Sequence, residues 1–152
     1  MELFEMAGHL LRRLHQNSTH VFQVRTKKAG FDMTPVQFAA MSAIHAHPDV
    51  DQATVAAMIA YDRATIGGVI DRLEQKGLVA REVSKSDRRA KQVRLTKDGE
   101  NLLSAVSPVV RDLQFELMSG LEPKERATFL ALAKKAAAHL AEEPARPHSP
   151  DK

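Results

Sequence analysis

Apolar residues recur at helical spacing along nearly all of this chain, and only residues 78–95 break that period. There Leu78-Val79-Ala80-Arg81-Glu82-Val83 and Gln92-Val93-Arg94-Leu95 read as two short strands. The stretch between them, Ser84 to Lys91, is polar and basic, so the segment reads as a β-hairpin with a charged tip. A run of helices with one such interruption leaves few architectures open.

Punctuation divides the remainder into six helices. The first runs from about Phe4 to Lys28, with Met6, Leu10, Leu11, Leu14, Phe22 and Val24 on one arc, and Gly30 follows it as a left-handed terminator. Thr34-Pro35 supplies an N-cap and a first-turn proline for a second helix through Phe38, Met41 and Ile44, which stops before Pro48. Asp51 caps a third from about Gln52 to Ile59. Asp62 is expected to cap a fourth through Ile66, Val69, Ile70 and Leu73, ending at Gly77. Thr96 caps a fifth through Leu103, Val106, Val110 and Leu113, with Pro108 expected to kink it. Gly120 breaks that helix, and Pro123 opens a sixth through Phe129, Leu132 and Leu140. The tail 142–152, with three prolines, is expected to be disordered.

A length of 152 residues suits one domain with a substantial core. The absence of cysteine excludes disulfides, thiolate zinc sites, iron–sulfur clusters and cysteine-based peroxide sensing. No apolar run reaches the roughly 18–20 residues of a membrane span, and the N-terminus does not read as a signal peptide. A soluble cytoplasmic protein without a cofactor is expected.

The net charge of +3 is unevenly distributed. Residues 63–97 hold ten basic side chains against four acidic ones, a local charge of +6, while the rest of the chain carries −3. A basic middle in an acidic chain is the footprint of a polyanion partner or, equally, a solvated charged face.

Helix, helix, tight turn at Ala60-Tyr61, helix, basic hairpin is the order of a winged helix-turn-helix. The fourth helix is expected to present Arg63, Ala64, Thr65, Gly67 and Gly68 near its N-terminal end, where recognition helices read base edges and phosphate is attracted. Adjacent glycines cost roughly 1 kcal/mol each relative to alanine in a helix interior. Close approach to a groove wall explains that cost, and so does admission of a neighbouring helix.

At this point the chain resembles the MarR family of transcriptional regulators. The match is carried by Asp62-Arg63-Ala64-Thr65-Ile66 through Arg72-Leu73-Glu74-Gln75-Lys76-Gly77-Leu78-Val79, then Asp87-Arg88-Arg89, then Leu95-Thr96-Lys97-Asp98-Gly99. The order of helices extends it over about residues 4–141. The resemblance implies a mainly α winged helix-turn-helix fold of six helices in an intertwined homodimer on a pseudo-palindromic operator. Residues 1–30 and 100–141 would form the dimerisation region and 31–99 the DNA-binding lobe. It also implies that Arg89 is the wing arginine directed to the minor groove and Asp87 its acidic brace. A tip bearing Lys85, Arg88, Arg89 and Lys91 suits the negative potential of a narrow minor groove. Arg63 and Thr65 are candidates for base edges, Arg72 for a phosphate, and Gln52 and Thr54 for the DNA backbone.

Family members often bind a small aromatic carboxylate between the dimer helices and the DNA-binding lobe, and its binding releases DNA. On the first helix Asn17, Ser18 and Arg25 fall inside the apolar arc, with His15 at its edge. A buried guanidinium needs an anion, which is either a ligand carboxylate or an acidic residue of the partner subunit. His45 shares a stripe with Phe38 and Met41 and reads as a core histidine or a further effector contact. Arg12-Arg13-Leu14-His15-Gln16 together with Tyr61-Asp62-Arg63-Ala64-Thr65-Ile66-Gly67-Gly68 resembles the branch controlling aromatic-acid and nicotinate breakdown. A hydroxylated benzoate- or nicotinate-like effector is therefore expected. The rival readings are a metal-responsive regulator, an enzyme, and a helical dimerisation module that binds no DNA. His45-x-His47 on a helix points its imidazoles about 200° apart, which does not favour a metal. No phosphate loop or nucleophile elbow supports an enzyme.

Overall fold

Local hydrogen bonding sets the helix boundaries. Thr34 closes a capping box on α2 (Pro35–Ala46): its hydroxyl accepts from the Gln37 amide at 3.2 Å, and the Gln37 side chain accepts from the Thr34 amide at 3.1 Å. Asp51 caps α3 (Gln52–Met58), accepting from the Thr54 amide at 2.8 Å. The chain leaves α1 (Ala7–Lys28) through Gly30 at φ +86°, and leaves α4 (Ile66–Gln75) through Gly77 at φ +72°. The remaining helices are α5 (Lys97–Leu117) and α6 (Pro123–Glu142). The computed structural model describes residues 2–83, 85–86 and 91–142. The tail beyond Glu142, expected to be disordered, lies outside the described residues.

Three features differ from the sequence expectation. The first helix is interrupted: Leu3–Glu5 form a 3-10 turn, Met6 is extended, and α1 starts at Ala7. The hairpin of β2 (Val79–Val83) and β3 (Lys91–Leu95) gains a third strand, β1 (Val50–Asp51), which pairs antiparallel with β3 through Val50↔Val93 and Asp51↔Gln92. Two residues are too few to show a strand period. α4 starts at Ile66 rather than just after Asp62, so Arg63, Ala64 and Thr65 precede the helix. α5 runs through Pro108 as one helix.

Residues up to Leu117 make one compact unit and those from Met118 a second. In the first, α2 contributes Met41 and Ile44, α3 Val55, α4 Ile66, Ile70 and Leu73, the sheet Val79 and Val93, and α5 Val106 and Leu113, all essentially inaccessible to solvent. Each such side chain contributes on the order of 1.5–3 kcal/mol by its burial. Thr96 joins the sheet to α5. Its amide donates to the Leu78 carbonyl at 3.0 Å, its hydroxyl donates to the Gly77 carbonyl at 2.6 Å, and the same oxygen accepts from the Gly99 amide at 3.1 Å.

The apolar arc of α1 is not buried as its period predicts. Only Phe22 and Thr26 are covered, while Met6, Leu10, Leu11 and Leu14 stand 46–64% exposed. In the second unit α6 begins at Pro123, with the Glu122 amide donating to the Glu125 carboxylate at 2.8 Å, and Phe129, Leu130 and Leu132 are exposed. Among the described residues no helix is long and apolar enough to cross a membrane.

Candidate nucleic-acid interface

The turn between α3 and α4 is built from backbone. Ala60 adopts φ +53°, and the Tyr61 amide donates to the Ala56 carbonyl at 2.9 Å. Asp62 then works through its carbonyl and not its carboxylate: the amides of Thr65 and Ile66 both donate to it at 3.1 Å, and the Thr65 hydroxyl does so at 3.2 Å. Tyr61, Asp62, Arg63, Ala64 and Thr65 are all exposed, forming a loop ahead of the first turn of α4.

α4 buries Ile66, Val69, Ile70 and Leu73 and divides its outer surface in two. On one side Thr65, Gly68 and Arg72 line an open cleft of about 220 Å³ with Val36, Gln37, Tyr61 and Val69. On the other, Asp71 and Glu74 reach Arg81 of β2, and Gly67 lies beside Gln52 of α3. The two glycines therefore differ. A Cβ on Gly67 would meet the Gln52 side-chain nitrogen at 3.3 Å, whereas one on Gly68 would meet nothing within 4 Å. Gly67 admits a side chain of α3, and Gly68 alone opens the surface of α4.

Arg81, treated in the sequence only as one positive charge among ten, is the centre of the sheet-facing side. Its guanidinium forks onto Glu74, with Nε to Oε2 at 3.3 Å and Nη2 to Oε1 at 3.2 Å. Nη2 also reaches Asp71 Oδ1 at 2.5 Å, and Nη1 donates to Gln52 Oε1 at 3.4 Å. The Arg81 side chain is only 18% exposed. Hydrogen bonding from Arg81 holds the Glu74 carboxyl below its ordinary range, and Glu74 with Asp71 raises Arg81. The signal for this role was strand alternation, which puts Arg81 on the same inward face of β2 as the buried Val79.

Gln52 and Thr54, expected on the DNA backbone, are thus engaged within the chain: Gln52 by Arg81, and Thr54 by a 2.8 Å hydrogen bond from its hydroxyl to Asp51 Oδ2. Lys76 is tied to Asp32, and Arg94 to Glu82 across the hairpin. Arg63, Arg72, Lys85 and Lys91 are exposed, and none of them has a carboxylate partner among the described residues. Arg88, Arg89 and Asp87 lie outside the described residues.

Residues 31–90 match the family model described as MarR family. The chain is 34% identical over 134 residues to the HTH-type transcriptional repressor NicR of Pseudomonas putida, covering 88% of this chain and 84% of NicR. The chain belongs to the MarR family. Among solved MarR-type structures, it is similar to Bordetella bronchiseptica BpsR, whose DNA binding is regulated by 6-hydroxynicotinic acid: TM-score 0.83, 31% identity, covering 90% of this chain and 96% of BpsR. It is likewise similar to the transcriptional repressor CouR bound to a 23-mer DNA duplex, at TM-score 0.81 and 28% identity, covering 90% of this chain and 95% of CouR. These relatives are transcriptional regulators and not enzymes, and this chain is a transcriptional regulator of the MarR type with a winged helix-turn-helix fold.

Within one chain of this MarR-type fold, the five residues considered for an effector are not brought together. Arg25 is about half exposed, and its Nε pairs with Glu116 of the same chain at 2.9 Å. His45 is no core histidine. Its side chain is 57% exposed, and Nδ1 lies 2.8 Å from Glu100. Glu100 and Glu116 stand near opposite ends of α5, about 24 Å apart along its axis. Arg25 and His45 of one chain are therefore too far apart to hold one small acid. His15 and Asn17 are exposed on α1, and Ser18 is half-buried. Among the described residues no three His, Asp or Glu side chains gather as a metal site requires.

Proposed function

We propose that this chain is a homodimeric repressor that holds a pseudo-palindromic operator and releases it when a small aromatic carboxylate binds. The observation that carries the DNA half is the exposed loop 61–65 leading into α4, which bears Arg63, together with the exposed Arg72, Lys85 and Lys91, none of these four having a carboxylate partner among the described residues. That surface offers side chains for base edges at Arg63 and Thr65, and charge for phosphates at Arg72 and the wing. Arg89, with Arg88 beside it, completes the wing contact in the minor groove. The uncovered apolar side chains Leu10, Leu11 and Leu14 of α1 support a second copy as partner, because a monomer leaves them in water.

The effector reading is a hydroxylated benzoate- or nicotinate-like acid. It is supported by BpsR and its 6-hydroxynicotinic acid and by the repressor NicR. Arg25 is the residue proposed to take the carboxylate, with Ser18, Asn17 and His15 about two to three turns earlier on the same helix, and His45 entering only from the partner subunit. The acid must then displace Glu116 from Arg25. Release requires only that the acid favour the DNA-incompetent arrangement, since equal affinity for both arrangements shifts nothing.

The test is fluorescence anisotropy with the DNA flanking the chain's own gene, at fixed salt, with a panel of aromatic carboxylates. Tight binding reversed by one compound supports both halves. Tight binding that no compound reverses removes the effector half. Binding no tighter than to a random fragment rejects that DNA as the operator.

A further inference from the structure

The Arg81 cluster joins three elements at one point: Gln52 from α3, Asp71 and Glu74 from α4, and Arg81 from the first strand of the wing. Its bonds are directional. Glu74 receives two parallel donors from one planar guanidinium, which fixes the strand both in position and in rotation relative to α4. The cluster also explains Gly67, because any side chain there would press on the Gln52 amide that completes it.

We propose that Arg81 is a positioning residue for DNA recognition: it clamps the wing's first strand to the helix that enters the groove and contributes no contact to DNA itself. This rests on the DNA-binding reading above. Among the described residues Arg63, Arg72, Lys85 and Lys91 are exposed and have no carboxylate partner, while Arg81 is mostly covered and pairs with Asp71 and Glu74. Read with the wing on one side of the clamp and loop 61–65 on the other, operator preference depends on holding the two sets of contacts at one fixed spacing.

The clamp makes a prediction of opposite sign to simple electrostatics. Asp71→Asn with Glu74→Gln makes the protein two charges more positive, which by itself tightens binding to any polyanion. Loss of the clamp instead lowers preference for the operator over a random duplex, by about tenfold, the worth of one base-specific contact. Arg81→Lys keeps the charge but not the fork, and is expected to lose preference in the same direction. Hydrogen exchange should quicken in β2 and β3 of both variants while the buried turns of α4 stay protected, which separates a loosened wing from a destabilised fold. The measurement is anisotropy on operator and random duplexes with wild type alongside. If wild type shows no operator preference on a genome-selected fragment, the DNA-binding reading fails. If wild type shows it and the Asp71→Asn/Glu74→Gln variant retains it undiminished, the clamp is overturned and the DNA-binding reading stands.

Discussion

Gly99 packs against Leu78 so closely that a Cβ on Gly99 would overlap the Leu78 carbonyl oxygen and crowd its carbonyl carbon at 3.0 Å. Backbone cannot swing aside as the end of a side chain can. Gly99→Ala is therefore expected to destabilise by about 1–3 kcal/mol through overpacking, despite alanine's better helix propensity. Gly8→Ala, in α1 with nothing within 4 Å, is the control and should stabilise by up to about 1 kcal/mol. Paired denaturation curves decide it, and equal effects of one sign would refute the packing argument.

Gly67 and Gly68 are expected to part company on substitution. Gly68→Ala meets open space and should raise stability by about 1 kcal/mol while weakening operator binding, since the new methyl group stands on the surface offered to the groove. Gly67→Ala must push the Gln52 amide by a few tenths of an ångström, so its gain in stability should be smaller. Melting and anisotropy on the same two variants test this, and unchanged DNA affinity in Gly68→Ala would move that residue out of the interface.

The cap of α2 is a two-way bond, and Thr34→Ala removes the hydroxyl that accepts from the Gln37 amide while leaving the backbone amide that donates to the Gln37 side chain. A loss of about 1 kcal/mol is expected. Thr34→Ser, which keeps the hydroxyl, should recover most of it in urea titration.

Acid stability should carry the signature of Asp51. Its carboxyl lies below its ordinary range, chiefly because the Thr54 amide and then the Thr54 hydroxyl donate to it. A carboxyl whose pKa is depressed by folding contributes stability that is complete above its unfolded value, about 3.9, and is lost as pH falls through the folded value. Asp51→Asn keeps a good capping residue and removes the titration. Unfolding free energy measured below pH 4 should therefore fall less steeply in Asp51→Asn than in wild type, and parallel slopes would count against the cap as the titrating group.

Arg25 and Glu116 are both about half exposed, so Glu116→Gln should change stability by less than about 1 kcal/mol. If the effector carboxylate takes the place of Glu116, the same variant should release DNA at lower effector concentration, because the competing anion is gone. An unchanged or weaker dose response would leave Arg25 as a link between α1 and α5 only.

Where the chain punctuates itself, its structure was readable in advance. Thr34-Pro35, Asp51, Gly30, Gly77 and Pro123 each carry their own physical reason to start or stop a helix, and each does so where expected. Asp62 misled because it satisfies the start of α4 with its carbonyl, which every residue has, and not with its carboxylate. β1 left no trace because two residues have no period. Of the candidate site, the basic middle of the chain and the turn at Ala60-Tyr61 are legible from composition and order, but a charge count cannot separate Arg81 and Arg94, which are paired within the chain, from Arg63 and Arg72. The arc of α1 was read as buried because amphipathic spacing says which residues leave water and not what covers them.

Asp51 ends β1, which pairs with the wing strand β3, and the same residue caps α3. A displacement of β3 thus pulls on α3, the helix that precedes α4, and the Arg81 cluster closes the circuit from the other side. A reader stitched in this way has no slack of its own. On the dimer and effector proposed above, what a small acid alters is then the distance between two such units. Operators differing only in the number of base pairs between half-sites would then be sorted by the effector, with the preferred spacer lost first.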